Sequence, residues 1–512
     1  MFIGRTRELD TLNKLYDSDK FEFAVLYGRR RVGKTALISE FIHGKKAIYF
    51  MGVESNEKQN LENFSQSIME YSSGNIMQTS FLSLQVALEY VFELAQKEKL
   101  ILAIDEYPYI ARSSKSFAST LQMLIDKYKD TSKLMLILCG SSMSYMEDHV
   151  LAYKAPLYGR RTAQMKILPF DFEESCAYFQ KFSPEDMALI YGIVGGTPQY
   201  LLQMDDRISV EENIKNTFLN PSSSIYEEPE NLLKQEVREP ALYNAIITAV
   251  ASGASHMAEI STKVGEETSV CTRYLKNLIG LGIVRKETPH GEKESRKSLY
   301  VIADHMFRFW YRFIPDNNSI ISRGAADLAY QRIAPHLSDY MGKVFEDICM
   351  QYLWKLLLDG KSQVLFADLG RWWGTDPKTR SQTEIDIMGE QDKITALFGE
   401  CKWTNENVDV GVLDTLVERS QLFHYSKTVL YLFAKKGFTQ GCVEKANEMG
   451  NVVMYAKTAG VTNGSTVELH YTPFSTVLEF EINAPSDPIA GKQTEIIIQS
   501  LTLTAPTGTT IA

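Results

Sequence analysis

Two short stretches of this 512-residue chain carry residue types whose spacing could do chemistry. The first is GRRRVGKT, residues 28–35, which fits G-x-x-x-x-G-K-[ST]. It lies between an apolar run, FEFAVLY (21–27), and a segment of helical spacing, TALISEFI. Gly28 and Gly33 permit a tight turn, so that backbone N–H groups up to Val32 can face phosphate oxygens. The helix opening at Lys34, Thr35 and Ala36 would present its positive N-terminus to the same anion. Lys34 can reach β- and γ-phosphates, and Thr35 can ligate Mg²⁺. Asp105 and Glu106 end a second apolar run, LILAIDEY. Asp105 could join the magnesium site directly or through water, and Glu106 could orient the attacking water; a lone acidic pair can also be a solvated strand end. Ser141 and Ser142, ending the next run in CGSS, offer a polar contact to the γ-phosphate.

The second stretch is TEIDIMGEQDKITALFGECKW, residues 383–403. Side chains alternate along a strand, so Glu384 and Asp386 should share one face, Ile385 and Ile387 the other, and Glu400 should stand beside Lys402. Burying ionised groups without partners costs several kcal/mol each. Two readings follow: the acids pair with Lys402 and nearby arginines in an ion cluster, or they hold a metal. Mg²⁺ or Mn²⁺ would take Asp386 and Glu400 with a strand carbonyl. Such a metal could polarise a phosphodiester, with Lys402 stabilising the developing charge.

The elements that must position these residues follow from periodicity. Near-continuous apolar runs at 21–27, 100–107 and 133–140, separated by amphipathic segments, predict an α/β domain with a parallel-sheet core. Helical spacing continues to about residue 220, forming a lid. The boundaries expected are 1–220 for the phosphate-binding domain with its lid, 221–240 for a linker, and 241–303 for a winged helix-turn-helix of three helices and a hairpin. A connector would occupy 304–334, a second α/β domain 335–465, and an unassigned tail 466–512. In the third helix of the winged unit, Cys271, Leu275, Leu278 and Ile279 should face inward while Arg273 and Lys276 face outward, as a DNA-reading helix requires. The hairpin mixes Lys293, Arg296 and Lys297 with Glu287, Glu292 and Glu294, so the unit could equally pack as a lid or relay.

The formal charge of −10 argues against a protein that coats polyanions, without excluding a local basic groove. No apolar run reaches the roughly 18–20 residues that span a bilayer, and the start, MFIGRTRELD, lacks a secretory apolar region. Six scattered cysteines with no C-x-x-C pair suit reduced thiols in a cytoplasm.

IGRTRELDTL, YGRRRVGKTAL, LAIDEYPY, LILCGSS, LYGRR and VGGTPQYL occur in that order over residues 1–220. Together they resemble the archaeal-type ATPase family, a branch of the AAA+/STAND-like P-loop ATPases. The resemblance implies ATP and Mg²⁺ as cofactors, with Ile3, Gly4 and Arg5 near the adenine and Ser141 as a γ-phosphate sensor. It makes Arg160 or Arg161 a candidate arginine finger, in cis or from a neighbouring subunit of an oligomer, unless the pair is a surface turn. It places Gly195, Gly196 and Pro198 near the base. GRWWG, EIDI and GECKW resemble the DEXX-box ATPase C-terminal domain that accompanies this family. Asp386, then Glu400-x-Lys402, resembles the PD-(D/E)XK restriction-endonuclease-like superfamily. That likeness implies Glu346 on the preceding helix as a further metal ligand and Gln421-x-x-x-Tyr425 as a helix motif. Ile385 stands where the pattern has Pro. The expected function is an ATP-binding and hydrolysing P-loop ATPase coupled to a DNA-associated, metal-dependent nuclease domain. The alternative is an ATP-driven switch binding DNA or a protein partner, with a nuclease-like domain that does not cleave.

Overall fold

The apolar runs become buried parallel strands, as continuous hydrophobic segments do when helices cover both faces of a sheet. The computed structural model describes residues 2–73, 80–293 and 297–456, with the backbone of two short paired strands at 503–504 and 510–511. Glu294, Arg296 and most of the 466–512 tail lie outside the described residues.

The first domain alternates α1 (Thr6–Tyr16), β1 (Glu22–Tyr27), α2 (Lys34–Ile42), β2 (Ala47–Met51), α3 (Glu57–Ser73), α4 (Leu84–Lys97), β3 (Leu100–Asp105), α5 (Tyr107–Ser113), α6 (Phe117–Tyr128), β4 (Leu134–Gly140), α7 (Met143–Met146) and β5 (Ala163–Lys166). The strand order is β2-β3-β4-β1-β5, all parallel. Every residue of β1, β3 and β4 is buried. This order brings the loop after β1, the acids ending β3 and Ser141 after β4 to the same carboxyl edge, where open α/β sheets bind ligands.

Next come α8 (Phe172–Cys176), α9 (Pro184–Val194), α10 (Pro198–Leu201) and α11 (Val210–Thr217). The expected linker instead holds a packed helix, α12 (Glu228–Glu236), with Leu232 and Leu233 buried. Its turn-rich start suggested a loose connection, but the leucine pair gives it a face to bury. Three helices, α13 (Pro240–Ala251), α14 (Met257–Val264) and α15 (Thr268–Gly280), precede a hairpin of β6 (Val284–Glu287) and β7 (Leu299–Ile302). Cys271, Leu275 and Leu278 are buried on α15, but Ile279 is 38% exposed; Tyr274 takes the inward position instead. Helices α16 (His305–Phe313), α17 (Asn318–Ile321), α18 (Ala326–Ile333) and the 22-residue α19 (Leu337–Leu358) follow. One hydrophobic core runs without interruption from Phe170 through α9, α12, the three-helix unit and α16 to Ile348 on α19.

The last sheet comprises β8 (Gly370–Thr375), β9 (Gln382–Glu390), β10 (Thr395–Lys402), β11 (Lys427–Ala434) and β12 (Val452–Ala456), with α20 (Val410–Ser420) and α21 (Gln440–Met449) between its later strands. Its order is β12-β11-β10-β9-β8; β8, β9 and β10 pair antiparallel, and β10, β11 and β12 parallel. Strict alternation fails on β9. Gly370 pairs with Met388 but Trp372 pairs with Ile385, so β9 holds one extra residue there. A bulge of this kind re-aims side chains. Consequently Ile385 packs under α20 and α21, whereas Ile387 packs under α19.

Trp403, directly after β10, is buried in the central core rather than in its own domain, against Phe345 and beneath the Lys435 ammonium. Large aromatic-to-alanine truncations in a core cost about 3–5 kcal/mol. Trp403→Ala should therefore lower the unfolding free energy by an amount in that range; a change below about 1 kcal/mol in a urea titration would show that the two bodies are not anchored here.

Candidate functional site

Backbone conformation and close packing shape the phosphate loop. Gly33 has φ +89°, and a Cβ on Gly28 would lie 2.3 Å from the Ile167 carbonyl oxygen. Lys34 is buried, and its Nζ donates to the carbonyls of Gly28 and Arg29, both at 2.9 Å. Thr35 and Ala36 stay exposed at the start of α2, and Val32 is fully buried. Thr35 Oγ1 donates to Asp105 Oδ2 at 2.6 Å, and the same oxygen accepts from Tyr49 OH at 3.0 Å. These adjacent oxygens fit Mg²⁺, which prefers hard oxygen ligands. Glu106 has φ +47°, uncommon for a non-glycine residue, and Ser141 Oγ donates to its Oε2 at 2.9 Å. The loop, Asp105, Glu106 and Ser141 thus converge as the spacing predicted.

Gly4 stands against Phe170, and the Arg5 guanidinium lies 4.3 Å from that ring. Arg5 also donates to the carbonyls of Val32 and Leu168, so its side chain ties the start of the chain to the loop. Arg160 and Arg161 are engaged elsewhere. Arg160 makes a two-pronged pair with Asp126 at 2.8 and 2.7 Å, and Arg161 donates to the Leu151 carbonyl and lies over Tyr158.

Arginines inside the loop make the less expected contacts. Arg29 pairs with Asp304, just before α16, at 2.5 Å, with both side chains 6% exposed, and also donates to Thr197 Oγ1 at 2.6 Å. Arg30 meets Glu236 and Gln235 at the end of α12. Arg31, itself at φ +73°, pairs with the buried Glu228 at the start of α12. Ion pairs continue beyond Asp304. Its neighbour His305 lies 3.7 Å from Asp347 on α19; Asp347 pairs with Arg285 at 2.8 Å, Arg285 with Glu287 at 2.6 Å, and Glu287 with Arg371 at 3.2 Å. Arg371 reaches Glu346 at 3.2 Å and Glu384 at 3.4 Å. Burial works against the Asp347 carboxylate, but Arg285, His305 and Arg308 outweigh it and hold its pKa well below the usual range.

At the far end of this chain of charges lies the C-terminal cluster. Asp386 accepts from the Cys401 N–H at 2.9 Å. Glu400 accepts from Lys402 at 2.6 Å and Arg419 at 3.3 Å. Glu346 accepts from Lys343 at 2.9 Å in addition to its pair with Arg371. Burial, then the Asp386 charge, pushes the Glu346 pKa up to about 7 and raises that of Glu400. Asp386 is thus the common neighbour of both glutamates. Among the described residues, however, no group of three or more His, Cys, Asp or Glu is close enough to hold a metal ion. Each glutamate is answered by two cations instead. These contacts are the ones the ion-cluster reading of Glu346, Asp386 and Glu400 calls for. Gln421 follows the end of α20 and Tyr425 lies beyond it, bonded to Glu390, so the expected helix motif is not on a helix.

The hairpin, whose mixed charge left open both nucleic-acid contact and packing as a lid or relay, is turned toward the last sheet: Trp373 Nε1 donates to the Lys297 carbonyl at 3.2 Å, and the His290 N–H to that of Arg371 at 2.8 Å. Arg273 and Lys276 on α15 are exposed.

Comparison with known proteins matches residues 2–204 to a family described as an ATPase domain predominantly from Archaea. Residues 310–412 match a family of archaeal and bacterial proteins of unknown function. An uncharacterized protein of Methanocaldococcus jannaschii is 33% identical over 409 residues, covering 79% of this chain and 88% of the relative. The chain belongs to the archaeal ATPase family. An uncharacterized ATP-binding protein of the same organism is 48% identical over 46 residues, 9% of this chain and 78% of that one. Among solved structures, the Walker-type ATPase of Pyrococcus abyssi is 19% identical with a TM-score of 0.47, covering 61% of this chain and 96% of that chain. Among the described residues of this family member, no helix is long and apolar enough to cross a membrane.

Sequence reasoning missed Tyr49, Glu228, Glu236 and Asp304. The run of three arginines in the loop was a legible signal, since Lys34 alone suffices for phosphate charge; their acidic partners, some two hundred residues or more away, were not. A carboxyl whose folded pKa is lowered contributes stability above its unfolded value, and that stability is lost as pH falls through the folded value. For Asp347 the loss begins below about pH 4. Asp347→Asn should lower the unfolding midpoint at pH 7 and flatten the acid limb below about pH 4; an unchanged acid limb would show that the junction is not held by this charge.

Proposed function

We propose that this chain is an ATP-hydrolysing switch whose nucleotide state sets how the winged helix and the C-terminal domain are held, with DNA as its macromolecular partner. The observation that carries this is the pairing of Arg29, Arg30 and Arg31 with Asp304, Glu236 and Glu228, which flank the three-helix unit on both sides. A ligand that enters the loop cannot leave those contacts unaffected, because the same backbone positions all of them. Lys34, whose Nζ donates to the Gly28 and Arg29 carbonyls, lies where it can reach phosphate oxygens. Thr35 and Asp105 would hold Mg²⁺, which neutralises phosphate charge when bound. Glu106 orients the attacking water, and Ser141 holds that carboxylate in place.

For DNA, Arg273 and Lys276 on α15 are the contacts supported by exposure, because the hairpin is occupied by the C-terminal domain. The −10 charge favours a few focused contacts over a broad basic surface. The C-terminal domain acts as a platform held by its ion cluster, and cleavage of nucleic acid is the reading that this arrangement favours less.

Lys34→Ala should abolish ATP binding, whereas Glu106→Gln should keep it and lose about 10²–10⁴-fold in hydrolysis. Hydrolysis that survives both changes in a phosphate-release assay would overturn the ATPase assignment. In the C-terminal cluster, Glu400→Ala should cost about 1.5–3 kcal/mol of stability, as loss of a charged hydrogen-bonded group does. Incubation of the purified chain with single- and double-stranded DNA and RNA, with Mg²⁺ or Mn²⁺, should give no cleavage. Cleavage abolished by Asp386→Ala and by Lys402→Ala would replace the platform with a nuclease.

A further inference from the structure

Glu236 closes the end of α12 against the phosphate loop. Its side chain is 5% exposed, and its Oε1 lies 3.5 Å from Arg30 Nε. No hydrogen bond reaches that oxygen among the described residues. Beside it, Gln235 accepts from Arg30 Nη1 at 3.4 Å, and Arg30 Nη2 donates at 2.9 Å to the hydroxyl of Tyr109, which follows Glu106 on α5. Burial is the main reason that the Glu236 pKa is raised; Arg30, Lys34 and the Arg30 backbone N–H oppose it, and Glu106 adds to it. Geometry sets the carboxylate beside the site: it pairs with Arg30 of the phosphate loop, and the same guanidinium is bonded to Tyr109 on α5, the helix that starts directly after Glu106. Nor is Glu236 a frayed end. The start of α12 is fixed by Arg31 on Glu228, which also accepts from Tyr200 OH at 2.7 Å.

We propose that Glu236 discriminates between nucleotides: it occupies the γ-phosphate side of the site, so that ADP binds beside it while ATP binds only by displacing it with the end of α12. This rests on the reading that ATP binds the loop. Two anions confined to one poorly solvated space repel strongly, and ADP lacks the group that collides. Helix α12 leads directly to α13 at Pro240, so the displacement would be felt first by the opening helix of the three-helix unit.

The test is a pair of dissociation constants, for ATP and for ADP, measured with Mg²⁺ by calorimetry on the full chain. Glu236→Gln keeps the shape and removes the charge. It should tighten ATP binding about tenfold or more while changing ADP binding less than about threefold, and Glu236→Asp should restore much of the discrimination. An equal change for both nucleotides, or none for either, overturns the role of Glu236 and leaves the ATPase reading standing. Absence of nucleotide binding in the unsubstituted chain overturns both.

Discussion

The buried pair between Arg29 and Asp304 is the constraint on which the rest of the arrangement depends. Both groups are almost fully out of water, so neither can be left unpaired without a penalty of several kcal/mol. One partner is a backbone neighbour of the residues that cradle phosphate; the other caps α16 through its side chain on the Phe307 N–H. The pair therefore fixes the distance between the nucleotide loop and the helix that leaves the hairpin. A nucleotide that reshapes the loop must either carry Asp304 with it or break a contact that the protein cannot cheaply leave open.

Strain is concentrated at the same place. Arg31 and Glu106 both adopt left-handed backbone conformations that cost a non-glycine residue of order 1–3 kcal/mol. Arg31 is held there by Glu228, and Glu106 is held by Ser141. The site is thus kept in shape by Ser141 after β4 and Glu228 on α12 as well as by its own glycines. The route from Asp304 through His305, Asp347, Arg285, Glu287 and Arg371 to Glu346 is continuous. Continuity gives it the means to transmit a change, and coupling between the two ends is a matter for measurement.

Local patterns were readable in the sequence and long-range pairings were not. GRRRVGKT, the carboxylates ending LILAIDEY and the serine after the next strand follow from strand order and loop chemistry, because each depends on residues adjacent in the chain. The linker was misread because its Pro, Ser and Glu content masks two inward leucines. Alternation on β9 failed because a bulge depends on the partner strand, which the sequence of β9 alone does not reveal. Of the cations that answer the C-terminal acids, Lys343 and Lys402 are close in sequence to their glutamates, whereas Arg371 on β8 and Arg419 on α20 come from other elements and could not be paired with them from the sequence alone.

The central claim is that nucleotide in the phosphate loop alters how α12 and the segment around Asp304 are held. Amide hydrogen exchange on the full-length Glu106→Gln chain, with saturating ADP or saturating ATP, reads this directly. The account predicts faster exchange in residues 228–239 and 303–308 with ATP than with ADP, while β1, β3 and β4 stay equally protected. Identical exchange in both segments with the two nucleotides, under conditions where both are bound, would contradict it.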